Sequence, residues 1–250
     1  MNVENSPAMA VVLAAGKGTR MEMDIPKVLV PACGRPLIRY VLDTLRQAGV
    51  PKIVVVIGYQ ADRVREELRG QDDVVFVEQT EQLGTGHAVQ VCRRELEGHR
   101  GAVLILTGDS PLTQADSLRK LLELYQSERP ACVLGTLIKD HPAGLGRIVR
   151  DANGEFMAIV EEKDASDEQR RIGEVNMSTY VFDCHELLGV LGQLSNDNRQ
   201  GEYYITDCPG LLKQQGKVVK ALAVLKPCEA LSINNLADLA AVEAEMRKCQ

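Results

Sequence analysis

The chain has 250 residues, of which 29 are basic and 35 acidic, giving a formal net charge of −6. This length permits one large α/β domain or two small ones, and it is enough to build a core without a metal ion or disulfides. The acidic balance, together with six Tyr, three Phe and no Trp, argues against a nucleic-acid binder, which needs a basic surface and stacking aromatics.

The first half of the chain alternates short strands with amphipathic helices. Brief Val-rich runs predict buried parallel strands at 9–14, 53–57, 74–77 and 103–106. Apolar residues at helical spacing predict helices at 37–48 and 118–125, and Thr113 with Asp116 three residues later is typical of a capping box before the second helix. This alternation predicts a doubly wound, Rossmann-like, mostly parallel α/β sheet, whose ligands bind beyond the carboxyl ends of its strands.

The second half has a different pattern. The segments 147–150 and 156–161 flank a turn at 151–154 and predict an antiparallel pair, and 175–182 predicts another strand, so we expect a small inserted β lobe. The remaining predicted elements are a helix near 185–194, a polar loop at 195–204, a strand near 218–224 and a last helix that begins after Asn235.

We expect one domain, because no repeat, low-complexity tract or linker interrupts the sequence. It would span 1–250, with one lobe at approximately 8–112 and a second lobe, including the closing C-terminal helix, at 113–250.

The seven cysteines include no C-x-x-C pair and the four histidines are dispersed. This pattern favours reduced, mostly buried thiols in a cytoplasmic protein over a disulfide framework or a zinc site. No apolar run approaches the roughly 20 residues of a membrane span, and the uncharged start at 5–16 lacks a preceding basic region. We therefore expect neither a membrane association nor a signal peptide.

The strongest chemical motif follows the first strand. Residues 13–21 read Leu-Ala-Ala-Gly-Lys-Gly-Thr-Arg-Met, and their two glycines let the backbone approach a phosphate closely. A dinucleotide fingerprint would need Gly or Ala in place of Met21, and a Walker A motif would need Gly-Lys-Ser/Thr, which is absent. Five basic residues accompany two acidic ones between 7 and 39, which indicates a polyanionic ligand. A solvated basic loop is the alternative.

A series of motifs resembles one enzyme family. The loop at 13–21 with the downstream Pro26-Lys27 is similar to the G-x-G-x-R-M and P-K signature of the sugar-1-phosphate nucleotidyltransferases. Further matching motifs follow in the expected order at 81–88, 108–109, 144–147, 159–164, 174–176, 200–207 and 233–235. They look most like the uridyltransferase, or pyrophosphorylase, domain of the bacterial branch that makes UDP-N-acetylglucosamine, and the resemblance covers nearly the whole chain.

The resemblance implies a reaction in which N-acetylglucosamine 1-phosphate attacks the α-phosphorus of UTP and expels pyrophosphate. Such a reaction depends on positioning and charge neutralisation and needs no side-chain base, because the attacking phosphate is already ionised near neutral pH. By resemblance, Arg20 and Lys27 are the catalytic cations, and Asp109 and Asn234 bind Mg²⁺. Taken alone, Asp109 reads equally well as a turn residue, and Asn234 as part of a helix start.

The same resemblance implies two sets of binding residues. The nucleotide-binding residues are expected to be Leu13, Ala14, Ala15, Gly16, Gln79, Gly84, Thr85 and Gly108. The sugar-binding residues are expected to be Gly146, Glu161, Asn176, Tyr204 and Thr206. The alternative for Gln79 is an ordinary exposed glutamine. The alternative for Tyr204 and Thr206 is packing near the start of a helix. Eight acidic residues lie between 151 and 174, and we expect only Glu161 among them to point into a pocket.

The sequence departs from the family pattern in three places. Thr107 stands where an aromatic residue often precedes Gly-Asp, and Met177 and Ser178 stand in place of Thr-Gly. Nothing resembles the hexapeptide repeats of the acetyltransferase domain that usually follows, so neither that activity nor its trimer is expected. The alternatives are the same chemistry on another sugar phosphate or nucleotide, and a non-catalytic subunit that binds nucleotide sugars. The oligomeric state is not predicted.

Overall fold

The computed structural model describes residues 6–18, 24–233 and 235–248. The strands are β1 (Met9–Ala14), β2 (Pro31–Ala32), β3 (Arg35–Pro36), β4 (Lys52–Ile57), β5 (Val74–Glu78), β6 (Ala102–Thr107), β7 (Cys132–Ile138), β8 (Arg147–Arg150), β9 (Phe156–Val160), β10 (Glu174–Asp183) and β11 (Val219–Leu222). The helices are α1 (Leu37–Gln47), α2 (Ala61–Glu67), α3 (Thr85–Gln90), α4 (Arg93–Leu96), α5 (Ala115–Glu128), α6 (Cys184–Leu191), α7 (Asp207–Gln214) and α8 (Leu236–Lys248).

The main sheet of the described chain has nine strands, and four of the six neighbouring pairs along its main path run parallel. Its path is β11-β7-β10-β6-β1-β4-β5, and β8 and β9 extend it from β10. β1 pairs in parallel with β4 and β6, whereas β10 runs antiparallel to β6 and β7. The doubly wound, mostly parallel sheet with a small β lobe that the sequence predicts is confirmed.

Apolar layers cover both faces of the sheet. Along β1, Met9 and Val11 join the cluster under α3, α6 and α7, and Ala10, Val12 and Ala14 join the cluster under α1, α2 and α5. All five are at most 3% exposed, as expected for a strand covered on both faces. This core fixes the carboxyl ends of β1 and β6 side by side, where the first glycine-rich loop begins.

The inserted lobe is the antiparallel pair of β8 and β9. Asp151 closes their turn, because its Oδ1 accepts the N–H groups of Asn153 and Glu155, both at 2.9 Å. Arg147, only 1% exposed, donates to Glu162 at 2.6 Å and to the carbonyl of Leu145. β8 pairs with β10 through Arg147 and Val175, so the lobe is joined to the main sheet.

The sequence analysis left α2, α3, α4 and α7 unassigned, and it differs from the fold at two further points. It did not assign β7, a nearly fully buried strand that pairs with both β10 and β11. The capping box at Thr113 is also wrong: the helix begins at 115, and the Thr113 hydroxyl donates to Ser110 O. The carboxylate of Glu229 instead accepts from Gln114 N, at 3.0 Å, and from the Ser117 hydroxyl, at 2.6 Å. A distant residue therefore caps this helix.

The last helix begins as predicted, since Asn235 Oδ1 accepts Asp238 N–H at 2.9 Å. The described residues contain no disulfide, and Cys92, Cys132, Cys184 and Cys208 are buried. Within the described residues, none of the helices has both the length and the apolar character that crossing a membrane requires.

Candidate active site

A cleft of about 290 Å³ opens at the carboxyl ends of the parallel strands. We call it the main cleft. Its lining includes the predicted residues Leu13, Ala14, Ala15, Gly16, Lys27, Gln79, Gly84, Thr85 and Asp109. It also includes residues that the sequence analysis did not propose as binding residues, namely Val28, Gln82, Ala88, Thr107 and Glu202. Glu202 lies in the motif at 200–207, and that motif is the only sequence signal for it.

A close ion pair lies at the wall of the main cleft. Lys27 Nζ is 2.6 Å from Asp109 Oδ2, and the two side chains are 19% and 23% exposed. Lys27 begins a short 3-10 turn, and Asp109 follows β6 by two residues. A Cβ added at Gly18, where φ is +65°, would lie 2.7 Å from Lys27 Cβ. Only glycine therefore lets the loop after β1 pass close to Lys27 without strain.

Two predicted site residues, Arg20 and Asn234, lie outside the described residues. The described residues contain no group of three His, Cys, Asp or Glu side chains that could hold a metal ion. Magnesium sites in phosphoryl chemistry commonly use one or two carboxylates, with phosphate and water supplying the other oxygens. The single carboxylate of Asp109, already balanced by a cation in this structure, fits that type of site.

Gln79 presents a defined amide to the main cleft. It is 4% exposed, and its Nε2 donates to Gly84 O at 3.0 Å and lies 3.0 Å from His87 Nδ1. A backbone carbonyl can only accept, so this contact fixes Nε2 and Oε1 in their assigned positions. No described residue is seen to donate to Oε1. The amide therefore offers an acceptor to a ligand.

The turn at Gly84 and Thr85 is joined to the loop before α7. Tyr203 N donates to Leu83 O at 2.8 Å, and Gly86 N donates to Tyr203 O at 2.7 Å. The Thr85 hydroxyl accepts Ile205 N–H at 3.1 Å. We call these three hydrogen bonds the clasp. Thr85 Oγ1 thus holds a neighbouring loop, a role that the sequence motif did not reveal.

Two glycines in this region allow close packing. At Gly84, where φ is +107°, an added Cβ would lie 2.6 Å from Tyr203 O. Gly108 does not line the main cleft. Its N–H donates to Leu13 O at 2.9 Å, and a Cβ there would meet Val12 and Val28 at 3.1 Å. In this structure Gly108 packs the strand ends together.

A second set of predicted residues gathers beside the β lobe. A Cβ at Gly146 would lie 3.1 Å from Ile159 Cγ2 and 3.6 Å from both Glu161 Oε1 and Asn176 Cβ, so a side chain there would fill the space between these residues. Asn176 N donates to Gly146 O at 2.8 Å, and Asn176 is 5% exposed. Burial raises the pKa of Glu161, the Thr206 hydroxyl lowers it, and the carboxylates of Asp207 and Asp164 raise it further.

Glu161, Asp164, Tyr204 and Asp207 line a cavity of about 300 Å³, together with Ile159, Val160, Ser195, Asp197 and Asn198. We call it the acidic pocket. Because Asp164 N and Ala165 N both donate to Glu161 O, the chain turns back and brings Asp164 beside Glu161. The expectation that Glu161 alone among the acids of 151–174 lines a pocket is therefore wrong.

Tyr204 and Thr206 differ in their contacts. The Tyr204 hydroxyl accepts from Gln200 Nε2 at 2.6 Å, and Gln200 Oε1 accepts from Lys163. Thr206 lines an adjoining cavity with Asp207. Its hydroxyl is buried, with no well-formed hydrogen bond to any described residue, and lies near enough to Glu161 to lower that pKa. The buried Thr206 hydroxyl is thus available to form a hydrogen bond with a ligand, or with Glu161 after a small shift of that side chain.

Comparison with known proteins gives a consistent result. The family described as MobA-like NTP transferase domain matches residues 10–173. The chain is 42% identical over 231 residues to the bifunctional protein GlmU of Geotalea daltonii, covering 92% of this chain and 50% of the relative. It is 43% identical over 239 residues to that of Brevibacillus brevis, covering 96% and 51%. The chain thus spans about half the length of the curated relatives it matches. The resemblance predicted from the motifs is confirmed.

The fold also matches a solved structure. A crystal structure of UDP-glucose pyrophosphorylase complexed with UDP-glucose superposes with a TM-score of 0.77, covering 98% of this chain and 100% of that chain. The sequence identity is 16%, so this likeness shows the shared fold.

Proposed function

The chain belongs to the MobA-like NTP transferase domain family, and from this premise we propose that it makes UDP-N-acetylglucosamine and pyrophosphate from UTP and N-acetylglucosamine 1-phosphate. The observation that carries the proposal is the main cleft itself. It holds the Lys27 and Asp109 pair together with the Gln79 amide. The Lys27 and Asp109 pair can bind a triphosphate, and the Gln79 amide can bind a base.

In the proposed reaction, a phosphate oxygen of the sugar phosphate forms a bond to the α-phosphorus of UTP. The bond from that phosphorus to the oxygen bridging to the β-phosphate breaks, and pyrophosphate leaves with the electron pair. Lys27 stabilises the charge that develops on the transferring and departing phosphates. We propose Arg20 as its partner, on the basis of the motif at 13–21.

A divalent metal is part of the proposal. Family membership is consistent with metal-assisted transfer, and we propose Asp109 and Asn234 as the protein ligands of Mg²⁺. When bound, the ion neutralises phosphate charge and helps to orient the triphosphate. Asp109 would help to hold the ion, and the Lys27 ammonium, which contacts Asp109 in this structure, would then be available to phosphate oxygens.

The Gln79 amide supports a base with an imide N–H, as in uracil and thymine, over cytosine. Because Nε2 is bound to Gly84 O, Oε1 is left to accept a hydrogen bond. Uracil N3 carries a proton and can donate to it, whereas cytosine N3 has none. A base without an N–H at this edge leaves a buried acceptor unpaired, which costs roughly 1–3 kcal/mol.

The sugar is proposed to bind beside the β lobe. The space that Gly146 leaves between Glu161 and Asn176 is bounded by an acceptor and by an amide that both donates and accepts. Tyr204 and Thr206 border the neighbouring cavities. Sugar hydroxyl and acetamido groups have the donors and acceptors that such a surface requires. The choice of N-acetylglucosamine rests on the resemblance of the motif series to the bacterial branch that makes UDP-N-acetylglucosamine.

A substrate panel tests the proposal. The chain is incubated with Mg²⁺, one of UTP, CTP, ATP or dTTP, and one of several sugar 1-phosphates, and pyrophosphate release is measured. We expect the highest kcat/KM with UTP and N-acetylglucosamine 1-phosphate, and a kcat/KM at least about 100-fold lower for the Lys27→Ala variant. Turnover with a different pair would assign the same chemistry to another substrate. Tight binding of UDP-sugars without any turnover would instead identify a binding subunit.

A further inference from the structure

Tyr180 lies under the proposed sugar site and makes a contact that no motif predicts. It is fully buried in β10, and its ring is 5.7 Å from that of Phe182, centroid to centroid, within the larger core cluster. Its hydroxyl accepts a hydrogen bond from Asn176 Nδ2 at 2.8 Å. The hydroxyl of a rigid core side chain therefore contacts the Asn176 amide, which we propose binds the sugar.

The orientation of that amide is determined by two contacts. Ser178 N–H, which can only donate, is 3.2 Å from Asn176 Oδ1. This places Nδ2 on the Tyr180 side, so the Tyr180 hydroxyl accepts the hydrogen bond and its own proton points elsewhere. One Nδ2 proton and one Oδ1 lone pair of Asn176 remain for a ligand, in a fixed orientation.

The backbone at this point is shaped for the same contact. The pairing of β10 with β7 shifts register between Asn176 and Thr179, and Ser178 has a φ of +52°. Such a bulge redirects side chains, and its left-handed residue stores strain, a combination that recurs next to functional sites. Here it brings Ser178 N–H to Asn176 Oδ1 and places Tyr180 directly beneath the amide.

We propose that Tyr180 is a positioning residue of the sugar-phosphate site, which holds the Asn176 amide in the orientation that binds the sugar. This inference rests on the proposed function. Tyr180 itself touches no substrate. Burial raises the pKa of its hydroxyl well above the ordinary value, the hydrogen bond with Asn176 lowers it in part, and the Glu161 carboxylate raises it further. The hydroxyl therefore stays protonated and neutral over the whole working range of pH.

The test uses Tyr180→Phe, which keeps the ring in the core and removes only the hydroxyl. We expect the KM for the sugar phosphate to rise about three- to tenfold, because the loss of one buried hydrogen bond corresponds to that range. The KM for UTP should stay within about twofold. In an Asn176→Ala background, Tyr180→Phe should have no further effect, since the amide that it orients is gone.

Tyr125→Phe is the matched control. Tyr125 is also buried, and its hydroxyl donates to Asp183 at 2.8 Å, at the start of α6 and away from the site residues. Both variants should lower Tm by a few degrees, and only Tyr180→Phe should change the KM for the sugar phosphate. The inference, but not the proposed function, would be overturned if the two variants had equal KM values for the sugar phosphate. It would also be overturned if Tyr180→Phe raised the KM values for both substrates equally. A wild-type chain that turns over no sugar phosphate overturns the proposed function and this inference with it.

Discussion

In the main cleft, tight turns at strand ends lie beside the Lys27, Asp109 and Gln79 side chains, whereas beside the β lobe the groups that would meet a ligand are side chains held by other side chains. Gly84 is brought near by a backbone turn that only glycine adopts without strain. Asn176 and Tyr204 are each oriented by a hydrogen-bonded partner. The first half of the site therefore depends partly on backbone shape, and the second on side-chain hydrogen bonds within short segments of the chain.

This difference has a chemical reason. Phosphates bind well to backbone N–H groups and to a few cations, so a short loop with glycines is sufficient. A sugar has many hydroxyl groups of similar character, and its recognition needs donors and acceptors in fixed orientations. The clasp at Thr85 and Tyr203 joins the two halves. Substitutions can therefore test whether the halves act separately.

The largest effect is expected from Lys27→Ala. It removes the ammonium that we place on the transferring phosphates, so kcat/KM should fall by about 10²–10³-fold or more. Tm should change little, because an ion pair with both side chains partly exposed contributes little to stability. Steady-state kinetics and thermal unfolding measure both quantities. Lys52→Ala, an exposed lysine at the start of β4, is the matched control, and unchanged kinetics for Lys27→Ala would remove it from the site.

The next largest effect is expected from Gly84→Ala. Its Cβ would meet Tyr203 O at 2.6 Å in a left-handed conformation, so the turn must move and the clasp must break. We expect a loss of about 2–4 kcal/mol in unfolding free energy and a higher KM for both substrates. Gly49→Ala is the control, because φ there is +85° but an added Cβ meets nothing within 4 Å. Equal losses in urea denaturation would show that the strain, and not the contact with Tyr203, matters.

The sequence predicts the two halves unequally well. The strands and the loop at 13–21 follow from Val-rich runs and glycines, which are local signals, and the structure places nine of the predicted residues in the main cleft. β7 was not recognised, and the true cap of α5, Glu229, is 115 residues away from Gln114. The contact of Tyr180 with Asn176 depends on the bulge in β10, and that of Thr85 with Ile205 joins residues 120 apart, so no motif reveals them.

A smaller effect is expected from Thr85→Val, which keeps the shape of the side chain and removes the acceptor of Ile205 N–H. Leaving that buried N–H unpaired should shift the loop that carries Tyr204 and Thr206. We expect the KM for the sugar phosphate to rise about three- to tenfold and the KM for UTP to rise less. Thr85→Ser restores the hydroxyl and should recover most of the loss. A rise in the KM for UTP alone would show that Thr85 serves only the nucleotide and that the halves are independent there.

The smallest expected effect concerns the pH dependence of stability in the sugar half. Burial, the first cause, and the carboxylates of Asp207 and Asp164 raise the pKa of Glu161, although the Thr206 hydroxyl lowers it. The folded state then binds the Glu161 proton more tightly than the unfolded state does. From the unfolded value, about 4.3, up through the raised folded value, the unfolding free energy should therefore decrease as pH rises, and this contribution should level off above that window.

Glu161→Gln removes this contribution and should flatten the decrease in a urea-denaturation series across that range of pH. Some decrease should remain, because burial and Asp164 also raise the pKa of Asp207. Glu168→Gln, an exposed position in the same acidic segment, should leave the slope unchanged. If Glu161→Gln and Glu168→Gln both gave the same slope as the wild-type chain, folding would not disfavour the charged form of the Glu161 carboxyl. Charging Glu161 would then cost no more in the folded state than in the unfolded state. Ligand binding in the acidic pocket could therefore gain nothing by relieving such a cost.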